Sequence, residues 1–207
     1  GPDTRWDAAM ADLILRAMGE GDGSCLAFLP GEAEIRRVAR LVAPRLPGDV
    51  HVRPLYGALP FAEQRAAIRP EPGGRKLVLA TSIAETSLTI EDVRIVVDGG
   101  KARRARFDPA RGMSRLVTED VSRAEAEQRR GRAGRTAPGT CYRLWTRGQD
   151  GARPAFAPAE IEVADLAGLA LELAQWGGAE GLRFLTPPPA KALEEARDLL
   201  AALGAVD

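Results

Sequence analysis

The chain has 207 residues, 45% of them hydrophobic, with 29 basic residues balancing 29 acidic ones and a single histidine, His51. That length allows one large domain or two smaller ones with a packed core, and no apolar run reaches the roughly 18 residues that a membrane-spanning helix needs. Cys25 and Cys141 stand far apart with one histidine in the chain, which argues against a zinc centre or a disulfide framework and suits a reducing, cytoplasmic setting.

In chain order, Trp6, Met10, Leu13, Ile14 and Ala17 recur at helical spacing and predict an amphipathic helix over residues 4–18. CLAFL (25–29) is a short apolar run of the kind a buried strand requires, and Pro30-Gly31 ends it. A helix is expected over Glu32 to Val42, a strand over VHVRPLY (50–56), and a helix over 59–68 with Pro60 near its start, where a missing N–H is harmless. KLVLA (76–80) and VRIVV (93–97) are two further buried-strand candidates. Strand–helix units of this length predict an α/β fold, a parallel sheet covered by helices on both faces. Such sheets bind ligands at the carboxyl ends of their strands, so the loops at 29–31, 56–60, 81–92 and 98–101 form the expected working edge.

Beyond residue 97 the pattern changes. KARRARF and MSRLVTE flank DPARG and predict a β-hairpin. Ser122 with Glu125 three residues later is a capping box that starts a helix, and GTCYRLW (139–145) predicts the closing strand. Residues 148–159, rich in Gly, Pro and Ala, read as a linker before helices at about 162–176 and 190–203. Charge is uneven along this plan. Lys101 to Arg135 holds 11 basic and 5 acidic residues, Glu160 to Asp207 holds 3 basic and 9 acidic, and the two stretches suit different partners.

Two stretches carry chemistry. ATSIAETSLTI (80–90) offers the hydroxyls of Thr81, Ser82, Thr86, Ser87 and Thr89 around Glu85. At the carboxyl end of a strand these can grip phosphate oxygens without reading bases, although the same composition suits a turn that satisfies its own backbone. EQRRGRAGRT (127–136) gathers Arg129, Arg130, Arg132 and Arg135 and interrupts them with Gly131 and Gly134. Each glycine costs about 1 kcal/mol in a helix interior, so packing alone does not explain them. Guanidiniums beside close-approach backbone suit a polyphosphate. Arg132 and Arg135 share a face if the helix continues, and two guanidiniums aimed across a cleft match what phosphoryl transfer needs as charge builds on the γ-phosphate. A solvated basic helix end is the plainer alternative.

Taken in order, CLAFLPGEAEI (25–35), PLYGALPFAEQR (54–65), KLVLATSIAETSLTIEDVRIVVDGG (76–100) and QRRGRAGR (128–135) resemble successive motifs of the DEAH-box RNA helicases. GTCYRLW and EIEVADLAGLALELAQWG (160–177) resemble the bacterial HrpB-type members, and Gln128 separates the chain from DEAD-box relatives, which carry His there. The resemblance implies a RecA-like parallel sheet flanked by helices, a protruding hairpin at about 101–117, and a small helical C-terminal unit. Residues 1–157 would be the second RecA-like domain and 158–207 a partial winged helix. ATP would sit in the cleft between this domain and a first RecA-like domain, which supplies the Walker A loop and the DEAH carboxylates and holds Mg2+. Neither G-x-x-x-x-G-K-[ST] nor D-E-A-H occurs in this chain, which is therefore expected to be inactive by itself and to carry no cofactor alone.

Carried over by motif position, the resemblance implies that Gln128 orders the γ-phosphate and the attacking water, and that Arg132 and Arg135 are arginine fingers. Ser87, Thr89 and Glu91 would border the nucleotide, Glu91 near the ribose where many relatives have Asp. Ile68 stands where relatives commonly place a Phe against the adenine, which implies weaker stacking on the base. Gly57, Thr81 and Ser82 match positions that hold the RNA backbone, and Arg103 and Arg104 on the hairpin would touch phosphate. The implied partner is single-stranded RNA, with DNA as the alternative, bound without sequence preference and weakened steeply by salt. A second function class stays open: a non-enzymatic RNA- or protein-binding module on the same scaffold. Gln128, Arg132 and Arg135 favour the motor, because a binding module has no need of that trio.

Overall fold

A computed structural model describes residues 2–85, 88–108, 111–135 and 137–206, with Pro2 and Asp3 described by backbone alone. The chain divides into two compact units, Gly1–Arg103 with Thr118–Ala157, and Arg104–Val117 with Pro158–Asp207. Its first elements are α1 (Pro2–Glu20), β1 (Ser24–Phe28), α2 (Glu32–Val42), β2 (Val50–Leu55), α3 (Phe61–Ile68), β3 (Arg75–Ala80) and β4 (Val93–Asp98). The hairpin strands β5 (Lys101–Asp108) and β6 (Met113–Asp120) follow, then α4 (Arg123–Arg130), β7 (Thr140–Arg143) and α5 (Arg147–Ala152). Three more helices close the chain: α6 (Glu160–Val163), α7 (Ala167–Gln175) and α8 (Ala190–Ala202).

The first unit is built on a five-stranded parallel sheet in the order β2-β3-β1-β4-β7. Its central strands read as unbroken apolar runs because both faces are covered. Successive side chains leave a strand on opposite faces, so Cys25, Ala27, Leu77, Leu79, Ile95 and Val97 pack with Met10 and Ile14 of α1 and Ile35 and Val38 of α2. The alternate set, Leu26, Phe28, Val78, Ala80 and Val96, packs with Ala67 of α3, Ala84 and Ala133. The register Leu26↔Val78 and Leu26↔Val96 seats β1 in the centre. Removing a buried leucine such as Leu26 from this arrangement is expected to cost about 2–5 kcal/mol.

α4 begins as its capping box requires: Ser122 Oγ accepts from the Glu125 N–H at 3.3 Å, and the Glu125 carboxylate accepts from the Ser122 N–H at 2.7 Å. The expected linker at 148–159 is corrected in part. Thr146 and Gln149 form a second capping box that starts α5, and the chain after it is tied down rather than loose. Arg153 is buried, donates to the carbonyls of Gly100 and Val121 at 3.0 and 2.8 Å, and stacks 4.1 Å from the centre of the Trp145 ring. The carbonyls of Pro154 and Ala155 accept from the N–H groups of Arg123 and Ala124 at 2.9 and 3.1 Å.

In the second unit α7 and α8 bury Leu166, Ala170 and Leu173 with Leu193, Ala196 and Leu200, each set at helical spacing. The single helix expected at 162–176 is two. Ala164 is extended, and Asp165 Oδ1 accepts from the Ala167 N–H at 2.9 Å, an Asx turn that offers the backbone an alternative to helix. Trp176, Leu185 and Leu203 of this unit are exposed.

Candidate functional site

The working edge of the sheet is assembled where β1, β2, β3 and β4 end. β2 and β3 finish together at Leu55↔Ala80, and the Thr81 N–H continues the ladder to the Leu55 carbonyl at 3.1 Å. Gly57, Thr81 and Ser82 therefore lie at one end of the sheet, with Gly57 and Ser82 exposed and Thr81 half-buried. Gln64 of α3 donates to the carbonyls of Leu59 and Gly57 at 2.8 and 3.4 Å, which folds the 57–59 loop onto the helix.

α4 does not run on through the arginine segment, so a continuing helix is not what aligns Arg132 and Arg135. It ends at Arg130, and the backbone tightens: Gly131 N–H bonds Glu127 O at 2.9 Å, while Arg132 and Ala133 bond the carbonyls of Arg129 and Arg130, each at 3.1 Å. Ala133 is buried in the core beside Leu26 and Phe28, while Arg132 is half-buried and Arg135 exposed. Arg132 Nη1 reaches the Leu88 carbonyl at 3.5 Å, and Arg135 Nη1 donates to Thr89 Oγ1 at 2.8 Å. Among the described residues neither guanidinium pairs with a carboxylate, and the buried Nε of Arg132 has no acceptor. Burial, then the neighbouring charge of Arg135, holds Arg132 below the usual arginine value, with Glu85 opposing. A polyanion would relieve both penalties.

Arg129, three residues earlier, has the opposite fate. Its side chain is fully buried, and its fork spans Glu85 Oε1, at 2.7 Å from Nε, and Asp98 Oδ1, at 2.8 Å from Nη1. Nη1 also reaches the Lys101 carbonyl at 3.3 Å, and the guanidinium lies 4.9 Å from the centre of the Phe28 ring. Asp98 Oδ1 additionally accepts from the Gly100 N–H at 2.8 Å. Arg130 pairs on the surface with Glu127 at 2.6 Å. Of the four clustered arginines, two are therefore structural or solvated, and two face the loop that follows β3.

The other candidate residues fall as follows. The Glu91 N–H lies 3.4 Å from the Ile68 carbonyl, so those two positions are neighbours, with Ile68 half-buried and Glu91 exposed. Buried Lys76 donates through Nζ to the carbonyls of Ile68, at 3.1 Å, and of Arg69, holding the end of α3 against the sheet. Burial pushes the Lys76 ammonium down, and Asp92, Glu71 and Glu91 oppose that shift. Ser87, like Thr86, lies outside the described residues. Gln128 is exposed on α4. Arg103 is committed to Glu34, with Nη2 3.2 Å from each carboxylate oxygen, and its Nε lies 3.5 Å from Thr118 Oγ1. Arg104, next along β5, leaves the strand on the other face.

Sequence reading missed the roles of Arg129, Lys76 and Gly139. A Cβ on Gly139 would stand 1.9 Å from the Ala133 carbonyl oxygen, so only glycine lets β7 approach the arginine turn. Among the described residues no group of three or more His, Cys, Asp or Glu could hold a metal ion. Burial pushes both thiols up, Cys141 to about 11, which leaves no thiolate nucleophile near neutrality. No described helix is long and apolar enough to cross a membrane.

Comparison with known proteins identifies the family. The helicase conserved C-terminal domain model matches residues 8–137. The chain is 47% identical over 206 residues to the ATP-dependent RNA helicase HrpB of Escherichia coli, covering 98% of this chain and 26% of that protein. It is 41% identical over 213 residues to the pre-mRNA-splicing factor ATP-dependent RNA helicase prp22 of Schizosaccharomyces pombe, covering 97% of this chain and 18% of that protein. The crystal structure of the E. coli DExH-box NTPase HrpB matches with a TM-score of 0.92 at 47% identity, over 97% of this chain and 25% of that one. The chain thus spans about a quarter or less of the length of these relatives.

Proposed function

The chain belongs to the helicase conserved C-terminal domain family, and we propose that it is the arginine-bearing half of an ATP-dependent RNA helicase motor. The relatives named HrpB and prp22 are both described as ATP-dependent RNA helicases, which supports this class of activity. The observation that carries the reading is the pair Arg132 and Arg135, held on Leu88 and Thr89 with no carboxylate partner among the described residues. Fixed guanidiniums with donors to spare are what a transferring phosphoryl group needs, since they meet developing charge without reorganising.

In this reading residues 1–157 form the second RecA-like domain of the motor, 158–207 begin a winged helix, and a first RecA-like domain brings ATP to the open edge. The triphosphate supplies the scissile bond. Arg132 and Arg135 take up charge on its oxygens, and exposed Gln128 orients the water. Thr89 and Ser87 line the phosphate side, with Glu91 toward the ribose and half-buried Ile68 toward the base. The chain's residues fit the nucleotide, because the orphaned Nε of Arg132 and the mutual repulsion of two cations both call for an anion. Mg2+ belongs with the first domain's carboxylates. At the end of β2 and β3, Gly57, Thr81 and Ser82 hold the backbone of single-stranded RNA, or of DNA by the same chemistry. Arg103 and Arg104 add phosphate contacts, Arg103 by exchanging Glu34 for phosphate.

The test places Arg132→Ala and Arg135→Ala in the longer protein that contains the first RecA-like domain. RNA-stimulated ATP hydrolysis is expected to fall by about 10³-fold or more in each variant, with RNA binding retained. Undiminished turnover in both variants would reject the motor and favour a module that only binds RNA or protein.

A further inference from the structure

A cavity of about 460 Å³ opens on the first unit, its lining separate from Arg132 and Arg135, and falls within the range of about 300–1,000 Å³ typical of small-ligand sites. Trp6 of α1 and Pro30, at the carboxyl end of β1, supply its apolar wall. The Trp6 ring lies close against the corner between β4 and β5, since a Cβ on Gly99 would come within 2.7 Å of it. The ring remains half-buried rather than enclosed.

Charge in the cavity is ordered by depth. The carboxylates are the deep groups, with side-chain exposures of 4% for Asp7 and 13% for Glu34. Arg37, Arg103 and Lys101 are the outer groups, at 37%, 32% and 40%. Arg37 pairs with Asp7 at 2.5 Å and with Glu34 at 3.0 Å, Arg103 with Glu34 at 3.2 Å, and Lys101 with Asp120 at 3.1 Å. One acceptor beside the floor is left over, closed from solvent as the cavity stands: Asp7 Oδ1 is buried and has no donor among the described residues. An occupant of complementary form would lay a flat apolar body on Trp6, turn an N–H edge toward the carboxylates, and leave an anionic group at the cationic rim. An arginine side chain satisfies the floor and the ring but adds a fourth cation to a lining that already holds three against two carboxylates. A nucleotide satisfies all three.

We infer that this cavity takes one nucleotide of a single-stranded nucleic acid, its base stacked on Trp6 with an exocyclic amine toward the Asp7–Glu34 floor and its phosphate on Lys101 and Arg103. The inference rests on the RNA-binding part of the proposed function and goes beyond it. Contacts at Gly57, Thr81 and Ser82 are blind to sequence, whereas this pocket favours adenine and cytosine over uracil, whose carbonyls would face carboxylates.

The test uses the 207-residue chain and end-labelled RNA decamers of adenosine, cytidine or uridine, with affinity read by fluorescence anisotropy at low salt. Adenosine and cytidine decamers are expected to bind about 10-fold tighter than uridine, the discrimination a hydrogen bond to a charged group provides. Trp6→Ala should weaken adenosine and cytidine binding by about 5- to 150-fold, the usual worth of a base–aromatic stack. Trp6→Phe, which keeps a ring in the wall, should retain most of the affinity and so separates stacking from misfolding. Asp7→Asn should level the three decamers, and Lys101→Ser should weaken all of them alike and reduce the salt dependence by about one phosphate contact. Equal affinity for the three decamers, unmoved by Trp6→Ala, would overturn the pocket and leave backbone-only RNA binding standing. Failure to bind any decamer would overturn the RNA reading and the pocket together. An arginine-rich peptide that quenches fluorescence lost in Trp6→Phe, where RNA does not, would assign the cavity to a protein partner and also overturn it.

Discussion

Arg129 and the pair Arg132 and Arg135 occupy one seven-residue run at a constant spacing of three, yet one guanidinium is interior and the other two remain available. Arg129 sits under α4, where Glu85 and Asp98 take up its fork and Phe28 covers its face. Its neighbours follow the turn that starts at Gly131, where among the described residues the hydrogen-bond acceptors are a backbone carbonyl and a hydroxyl. The difference lies in what the fold places opposite each residue. A buried arginine with two carboxylates anchors, while a half-open arginine without one is free to meet a charge that arrives from outside. Arg129 also joins three pieces of the working edge, since Glu85 follows the turn at Ser82–Ala84, Asp98 ends β4, and Arg129 itself lies in the last turn of α4.

The largest break in this contrast should come from Arg129→Ala. It leaves Glu85 and Asp98 buried without counter-charge, and urea denaturation of the chain should show a loss of about 3–5 kcal/mol. Lysine should not rescue it, because a single ammonium cannot span both carboxylates as the planar fork does. Gly139→Ala comes next. Its Cβ would meet the Ala133 and Arg94 carbonyl oxygens at 1.9 and 2.7 Å, so the arginine turn must shift. The expected cost is about 1–3 kcal/mol, with a loss of ATP hydrolysis in the longer protein beyond what stability explains.

A smaller effect distinguishes the interior charge by its titration. Burial, opposed by Arg129, raises the Glu85 carboxyl above its ordinary value of 4.5. A group whose folded-state value is raised contributes its stability below the ordinary value and loses it as pH rises through the raised one. Denaturation midpoints measured from about pH 4 to 7 should thus include a decline due to Glu85, and Glu85→Gln should flatten that part of the profile. The smallest effect is expected at the outer arginines: Arg132→Ala should leave stability within about 0.5 kcal/mol of the parent chain. A large loss there would erase the distinction between the two kinds of arginine.

Much of the fold is legible along the chain. The apolar runs of β1, β3 and β4 announce strands buried on both faces, and the Ser122–Glu125 pair marks the start of α4 within one residue. Two misreadings have local causes. Thr146 and Gln149 carry the same capping signal as Ser122 and Glu125, but the glycines and prolines around them disguised it. Asp165 interrupts an otherwise unbroken helical pattern through a bond to the Ala167 N–H. The candidate site is legible as a set of residue types. Its division of labour is not, because Lys76 looks like any strand lysine until α3 ends above it, and Gly139 like any strand-entry glycine until Ala133 arrives behind it.

By itself the sequence determined the parallel sheet, its buried strands and the gathering of arginines and hydroxyls at one end of it. These follow from periodicity, capping and turn chemistry, which act between residues a few positions apart. Only the tertiary structure decided that Arg129 is an anchor, that Arg132 and Arg135 remain available, and that Trp6 walls a cavity with Glu34 and Arg103. Those outcomes depend on Glu85, Asp98, Glu34 and Gly99, which are remote along the chain and become neighbours when the strands align. Charge is cheap to bury only where an opposite charge has been brought to meet it, and that meeting is a property of the assembled sheet.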